Sequence, residues 1–150
     1  MTPTDVVIRR AEPDDAPRLA RIHIDARLAA MPPTIHPEHE VVAWVAGNIE
    51  RDEVWVAEVD GAPAAYSRLT PGWLDDLYVD PAHARQGLGS ALLGLAKARQ
   101  PQGFGLWVFE MNTPARAFYA RHGLVEVERT DGSDNEEKEP DIRVEWRASD

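Results

Sequence analysis

The sequence predicts a mixed α/β fold of three layers, in which helices cover a central mixed sheet. Segments with strand-like and helix-like patterns follow one another in the order β-α-α-β-β-β-α-β-α-β-β. A chain of 150 residues with 43% apolar and 28% charged residues is long and apolar enough to bury one hydrophobic core. We therefore expect one domain that spans residues 1–150.

The N-terminal third predicts one strand and two helices. A β-branched run at residues 6–10 favours a strand, and a Pro-Asp-Asp cluster ends it. Apolar residues then recur at helical spacing over residues 14–30, and the pair Pro32-Pro33 stops that helix. The same spacing returns after Pro37, which predicts a second helix there.

The rest of the chain alternates between strand-like and helix-like patterns. Asp60-Gly61 is a hairpin signal between two extended segments. Pro114 and Gly123 mark the first turn and the C-terminal cap of the last helix. The predicted strands are residues 53–59, 62–70, 73–79, 104–110, 124–130 and 141–146, and the predicted helices are residues 89–99 and 113–123.

Composition excludes several classes of function. The formal net charge of −10 disfavours nucleic acid as a partner and favours a positively charged small molecule or basic peptide. The absence of cysteine excludes disulfides and thiol nucleophiles. His36 and His39 have no zinc-site pattern around them and are interpreted as solvated, so we predict no metal. No segment has the roughly 20 apolar residues that span a bilayer, and the N-terminus lacks an apolar signal core, so we expect a cytoplasmic protein without a membrane partner.

The segment LYVDPAHARQGLGSALL, from Leu77 to Leu93, predicts a strand, a glycine turn and a helix. Backbone N–H groups at such a helix start can bind a phosphate, although the turn can equally serve a tight corner. A dinucleotide fingerprint would need a third glycine where Leu92 stands, and a P-loop would need a lysine after Gly89. The turn therefore predicts an anion site of another kind or a structural corner.

A second segment, NTPARAFYARHGL from Asn112 to Leu124, decides between these alternatives. Taken together, the two segments resemble the GCN5-related N-acetyltransferase (GNAT) family, and the order of elements matches over nearly the whole chain. The resemblance implies a three-layer α/β/α fold whose mostly antiparallel sheet is splayed between the fourth and fifth strands. Two positions depart from the family pattern: Ala84 stands where Gln or Arg is usual, and Leu124 where an aromatic residue is usual.

The resemblance implies acetyl-CoA as cosubstrate, with no metal. The pantetheine arm would lie in the splayed part of the sheet, and the glycine turn would hold the pyrophosphate. Asn112, which can also cap its helix, would lie near the pantetheine. The residues assigned to coenzyme binding are Leu77, Tyr78, Val79, Arg85, Gln86, Gly87, Leu88, Gly89, Ser90, Asn112 and Tyr119.

The implied reaction is direct attack of an amine on the thioester. Tyr119 matches the residue that donates a proton to the departing thiolate. An alkylamine with a pKa of about 10.4 must lose a proton first, so a base is needed. Asp75 is the first candidate, because strand alternation puts it on the same face as Leu77, and Glu110 is the second. Asp76 faces the other way and is interpreted as structural.

The acceptor amine is not defined by the sequence. In this family the first two helices and the last hairpin build the acceptor side, so the acidic segment DGSDNEEKEPD at residues 131–141 either attracts a cationic acceptor or is simply a solvated loop. Trp44, Trp55 and Trp107 are predicted to lie in the core, and Trp73 near the acceptor. The alternatives are a non-catalytic acyl-CoA sensor, for which Tyr119 would be unnecessary, and a protein N-terminal acetyltransferase. A homodimer through the sheet edge or the C-terminal strands is also expected from the family.

Overall fold

The computed structural model describes residues 5–32 and 34–148. Seven strands form one sheet and four helices pack on it. The strands are β1 (Val6–Arg10), β2 (Glu53–Val59), β3 (Ala62–Thr70), β4 (Trp73–Val79), β5 (Gly103–Phe109), β6 (Val125–Arg129) and β7 (Asp141–Arg147). The helices are α1 (Ala16–Ala30), α2 (Glu38–Arg51), α3 (Leu88–Arg99) and α4 (Thr113–Arg121).

The strand order is β1-β2-β3-β4-β5-β7-β6. Neighbours are antiparallel except β4 and β5, which are parallel. The mixed, mostly antiparallel sheet is therefore confirmed, and the element bounds differ from the predicted ones by a few residues. The first helix begins with a short 3-10 turn at Pro13–Asp15. It ends before Met31, which is extended, and Pro33 lies outside the described residues.

Helices cover both faces of the sheet. The apolar faces of α1 and α2 pack on β2 and β3, with Leu19, Val45 and Val56 almost fully buried. On the other face, α3 and α4 pack on a second apolar cluster that includes Leu93 and Phe104. Burial of large apolar side chains on both faces gives the three predicted layers.

The sheet opens into a fork between β4 and β5. Trp73 and Gly105 are the single pair of residues that joins these strands in the described chain. A side chain at position 105 would place its Cβ 3.1 Å from the Trp73 ring, so glycine is needed for this close approach. Beyond this vertex β4 stays with β3 while β5 pairs along its length with β7. The splay expected between the fourth and fifth strands is confirmed.

A β-bulge changes the faces that β4 presents. Arg68 of β3 pairs with Asp76, whereas Leu69 pairs with Leu74, so Asp75 is an extra residue in β4. Leu74 packs in the cluster under α3 and α4. Asp76, two residues later, lies instead on the side of α1 and α2. The simple alternation assumed for this strand is therefore interrupted at its centre.

Candidate active site

The fork continues into a cleft of about 560 Å³. Its walls come from β4 and β5, from the start of α3, from α4 and from the C-terminal end of α1. This volume is within the range of small-molecule sites. The cleft therefore joins the two segments that the sequence singled out.

At one end of the cleft, the turn before α3 presents unpaired backbone donors. Arg85 and Gly87 both have left-handed φ angles, of 66° and 79°. These angles bend the backbone on either side of Gln86. Within the described chain, the N–H groups of residues 85–90 have no hydrogen-bond acceptor. Because α3 begins here, its dipole adds partial positive charge to these donors. The turn has the geometry of an anion site.

Side chains around the turn add to its charge. Arg85, Arg121 and His83 contribute to the cleft wall beside the open amides. The Ser90 hydroxyl lies 3.1 Å from His122 Nε2, which ties α3 to the end of α4. Sequence reasoning missed Arg121, whose position follows from the packing of α4 beside the turn and not from a local motif.

The edge of β4 that faces β5 is unpaired beyond the fork vertex. Leu77, Tyr78 and Val79 all contribute to the cleft wall, and no residue of β5 pairs with them. An extended ligand can add to such an edge as a strand does, through backbone hydrogen bonds. These residues lie where the sequence placed them, beside the turn that carries the open amides.

Helix α4 brings Asn112 and Tyr119 into the same cleft. Asn112 Oδ1 accepts a hydrogen bond of 3.3 Å from the Ala115 N–H, so its predicted capping role is confirmed. Tyr119 is 8% exposed, and its ring packs edge-on against Phe118. Burial raises the pKa of the Tyr119 phenol well above its ordinary value. Its hydroxyl therefore keeps its proton at neutral pH and can act as a donor.

The three candidate carboxylates occupy different environments. Asp75 is exposed at the cleft, and its Oδ2 accepts a 2.7 Å hydrogen bond from Thr70. Asp76 is buried, contributes to the cleft wall and accepts a 2.6 Å hydrogen bond from Arg68 Nε. Glu110 lies outside the cleft wall, with its carboxylate 3.5 Å from Arg129. The structure thus brings Asp75, not Glu110, to the fork, and it adds Asp76.

A second cavity, of about 410 Å³, lies between α1, α2 and the acidic segment. It shares Arg27, Asp76 and Tyr78 with the cleft, so the two spaces meet at these side chains. Burial raises the pKa of Asp76, even though Arg68 opposes that shift. The remaining walls carry His23, Thr34, His36, Glu40, Val41, Trp44, Glu136 and Glu137.

Ion pairs hold the acidic segment over the second cavity. His36 lies between two carboxylates, with Nδ1 3.1 Å from Glu40 and Nε2 2.6 Å from Glu136. Both contacts raise the pKa of His36 above its ordinary value, the contact with Glu136 more strongly. Arg27 Nη2 donates a 2.7 Å hydrogen bond to Glu137. His36 is exposed, as the sequence indicated, and it also pairs with these two carboxylates.

The tryptophan predictions were only partly correct. Trp55 packs against the core, but Trp44 is 41% exposed at the second cavity, under the Arg68 guanidinium. Trp107 is 46% exposed in the cleft, because α1 and α2 cover the other half of the sheet. Trp73 packs at the fork vertex and borders neither space.

In residues 5–32 and 34–148, no group of three or more His, Cys, Asp or Glu side chains has a metal-binding arrangement. No helix in those ranges is long and apolar enough to cross a membrane.

The chain is similar to known proteins over most of its length. Residues 50–126 match the family model described as an acetyltransferase (GNAT) domain. The uncharacterized N-acetyltransferase YafP of Escherichia coli (strain K12) is 26% identical over 133 residues, which are 83% of this chain and 85% of that protein.

Solved structures show that the fold is similar as well. Apo YjaB from Escherichia coli has a TM-score of 0.79 at 22% identity, covering 97% of this chain and 99% of that one. YncA from Salmonella typhimurium, determined with its cofactor acetyl-CoA, has a TM-score of 0.73 at 17% identity, covering 97% and 95%.

Proposed function

The chain belongs to the acetyltransferase (GNAT) family, and we propose that residues 1–150 form one domain that transfers the acetyl group of acetyl-CoA to a primary amine. The observation that carries this proposal is the cleft, which is lined by open amides, an unpaired strand edge and a buried tyrosine. Each of these features suits a different part of the thioester substrate. A positively charged acceptor fits the net charge of −10.

Coenzyme A would bind along the whole length of the cleft. The pyrophosphate would accept hydrogen bonds from the N–H groups of residues 85–90, next to Arg85 and Arg121. The pantetheine arm would pair with the free edge of β4 between Leu77 and Val79. Asn112 lines the same cleft. Ala84 removes one side-chain contact, but the amides that would hold the phosphates belong to the backbone.

In the reaction, the neutral amine attacks the thioester carbonyl carbon, forming the C–N bond. A backbone N–H of β4 would stabilise the negative charge that develops on the carbonyl oxygen. The C–S bond then breaks, and Tyr119 donates a proton to the thiolate. A base accepts the proton that the amine loses, and Tyr119 regains its own from solvent. No covalent enzyme intermediate is required.

Asp75 is the favoured base, because its carboxylate lies at the cleft and is exposed enough to act through a water molecule. Glu110 remains the second candidate, at the end of β5. Asp75→Asn should lower kcat, because it removes the group that accepts the proton of the amine. If Glu110→Gln has this effect and Asp75→Asn does not, the assignment is reversed.

The second cavity favours a small acceptor over a protein N-terminus. The contacts of His36 with Glu136 and of Arg27 with Glu137 hold the acidic segment across the space that a peptide would have to enter. Small amines and short peptides therefore give a direct comparison. Faster turnover of peptides than of any small amine would favour an N-terminal acetyltransferase.

Thiol release from acetyl-CoA tests the proposal. Because the chain has no cysteine, every free thiol in the assay comes from coenzyme A. Release that depends on an added amine, together with the acetylated amine as product, is the expected result. Tight binding of acetyl-CoA without release for any amine or peptide would instead indicate a non-catalytic sensor.

We also propose that the protein forms a homodimer through its C-terminal edge strand. Strand β6 has a neighbour on one side, β7, and its Val125 and Val127 are exposed. An unpaired strand edge with exposed valines can pair with another chain. Light scattering should give twice the mass of one chain, and Val127→Lys should give the mass of a monomer.

A further inference from the structure

We infer that His122 is a positioning residue for coenzyme binding: it holds the Ser90 hydroxyl so that the hydroxyl proton points at the pyrophosphate. This inference rests on the proposed binding of coenzyme A in the cleft and adds one residue to it. Ser90 lines the cleft beside the open amides, whereas His122 does not line it. A hydrogen bond from His122 therefore reaches the coenzyme only through Ser90.

The Ser90 hydroxyl has a single hydrogen-bond partner in the described part of the chain. Ser90 lies in the first turn of α3, where a serine side chain commonly bonds to nearby backbone groups. Its Oγ instead lies 3.1 Å from Nε2 of His122, the residue at which α4 ends. The hydroxyl is therefore not used by the backbone of its own helix, and Ser90 is exposed to a ligand.

Packing and a backbone hydrogen bond hold His122 in place. Its ring lies against the Phe118 ring, with 4.6 Å between the ring centroids. Phe118 in turn packs on the start of α3, since a Cβ at Gly89 would lie 3.4 Å from its ring. The His122 carbonyl oxygen accepts a 2.7 Å hydrogen bond from Lys97 Nζ, in the last turn of α3. The imidazole is thus oriented before any ligand binds, as a positioning residue requires.

The hydroxyl proton determines what Ser90 can offer to an anion. A hydroxyl group has one proton to donate and two lone pairs. If this proton is donated to His122 Nε2, it is not available to a phosphate. If Nε2 carries a proton and donates it to Oγ, the hydroxyl proton is free, and the accepted hydrogen bond strengthens it as a donor.

An anionic ligand selects the second of these arrangements. Phosphate oxygens accept hydrogen bonds and cannot donate them, so the hydroxyl must present its proton to them. The N–H groups of residues 85–90 and the side chain of Arg85 present further donors at the same end of the cleft. In the complex, His122 Nε2–H therefore donates to Ser90 Oγ, and Ser90 Oγ–H donates to a pyrophosphate oxygen.

Three acetyl donors that share the thioester locate the contact: acetyl-CoA, acetyl-dephospho-CoA and acetylpantetheine. The pyrophosphate is present in the first two and absent from the third. Ser90→Ala should lower kcat/KM for the first two by about tenfold, as expected for one charge-assisted hydrogen bond. The loss should appear in KM, because the contact is the same in the ground state and the transition state. The value for acetylpantetheine should not change.

Two outcomes of this comparison would overturn the inference. A loss that disappears with acetyl-dephospho-CoA would show that the hydroxyl contacts the 3′-phosphate and not the pyrophosphate. An equal loss with all three donors would show that Ser90→Ala disturbs the cleft as a whole.

Replacement of His122 tests its link to Ser90. His122→Gln keeps an N–H donor near the position of Nε2, whereas the shorter amide of His122→Asn cannot reach Ser90. His122→Asn should raise the KM for acetyl-CoA by about three- to tenfold, and His122→Gln should restore most of this loss. In the Ser90→Ala background, His122→Asn should have no further effect. Additive losses would mean that His122 acts through packing and not through Ser90.

Lys97→Gln is the matched control for packing. It removes the other hydrogen bond that ties α3 to the end of α4 and leaves both Ser90 and the imidazole in place. It should lower the melting temperature without changing the ratio of kcat/KM between acetyl-CoA and acetylpantetheine. If it lowers this ratio as much as His122→Asn does, the tie between the helices explains the effect and the inference is wrong.

Nitrogen NMR of the wild type gives a test that does not depend on the folding of any variant. The chemical shift of the His122 Nε2 distinguishes a ring nitrogen that carries a proton from one that does not. In the complex with coenzyme A we expect Nε2 to carry a proton, and an unprotonated Nε2 would overturn the inference. Failure of the wild type to bind coenzyme A would contradict the proposed function itself, whereas unchanged kinetics of Ser90→Ala would contradict this inference alone.

Discussion

The cleft and the second cavity are lined by different parts of the chain. The cleft offers mainly backbone groups: the N–H donors of residues 85–90 and the free edge of β4. The cavity offers side chains from α1, α2 and the acidic segment, such as His23, Trp44 and Glu136. Backbone groups are present whatever the side chains are, so the cleft depends less on the identity of its residues than the cavity does.

Loss of the Tyr119 hydroxyl should have the largest effect. Tyr119→Phe should lower kcat by a factor of about 10²–10⁴, the usual contribution of a general acid. Its affinity for coenzyme A should stay close to that of the wild type, because the other features of the cleft remain. Stopped-flow thiol release and calorimetry measure the two quantities. A variant with normal kcat would remove Tyr119 from the mechanism.

The stability of the wall shared by the cleft and the second cavity depends on Arg68. Arg68→Gln should lower the free energy of unfolding by about 3 kcal/mol, because it leaves the buried Asp76 carboxylate without its cation. Arg21→Gln is the matched control, since it breaks a surface pair with Asp25 and should cost less than about 1 kcal/mol. Urea unfolding checks both. Equal losses would mean that burial of Asp76 does not need Arg68.

Protonation of His23 should destabilise the cavity side of the fold. Burial and, to a smaller extent, the nearby Arg27 and Arg68 lower the pKa of His23 to about 4. The unfolded chain, with a pKa of about 6.5, binds this proton more readily, so stability falls as the pH falls through this window. Between about pH 7 and about pH 4.5 the loss should be about 2 kcal/mol.

Comparison with His23→Gln isolates this contribution from that of the carboxylates. The variant should lose stability less steeply over the same pH range in urea unfolding. Parallel curves for the wild type and the variant would show that His23 is not held neutral by burial.

Two glycines, one before α3 and one inside it, should have opposite effects on stability when each is replaced by alanine. Gly87→Ala should destabilise the protein by about 1 kcal/mol, because position 87 has a left-handed φ of 79°. It should also weaken coenzyme A binding by displacing the open amides. Gly94→Ala, in the exposed face of α3, should stabilise it by about 0.5–1 kcal/mol and leave binding unaffected. Thermal melting and calorimetry distinguish these outcomes.

The comparison between the two sites also explains what the sequence could predict. The glycine turn and α4 are each continuous in sequence, so local patterns predicted Gly87, Asn112 and Tyr119 as site residues. The wall of the second cavity joins segments about 100 residues apart, such as His36 and Glu136. No local pattern indicates that such residues will meet.

The β-bulge is the feature of the site that the sequence did not predict. Sequence alternation placed Asp75 and Asp76 on opposite faces of a regular strand. Asp75 is instead an extra residue in β4, and Asp76 lies on the side of α1 and α2, where the cleft and the cavity meet. A single inserted residue in a strand leaves no reliable signal in one sequence.

A crystal structure of the complex with coenzyme A tests the central claim most directly. The account predicts the pyrophosphate on the N–H groups of residues 85–90 and the sulfur within hydrogen-bond reach of Tyr119 Oη. A pyrophosphate bound elsewhere, or a sulfur distant from Tyr119, would contradict it.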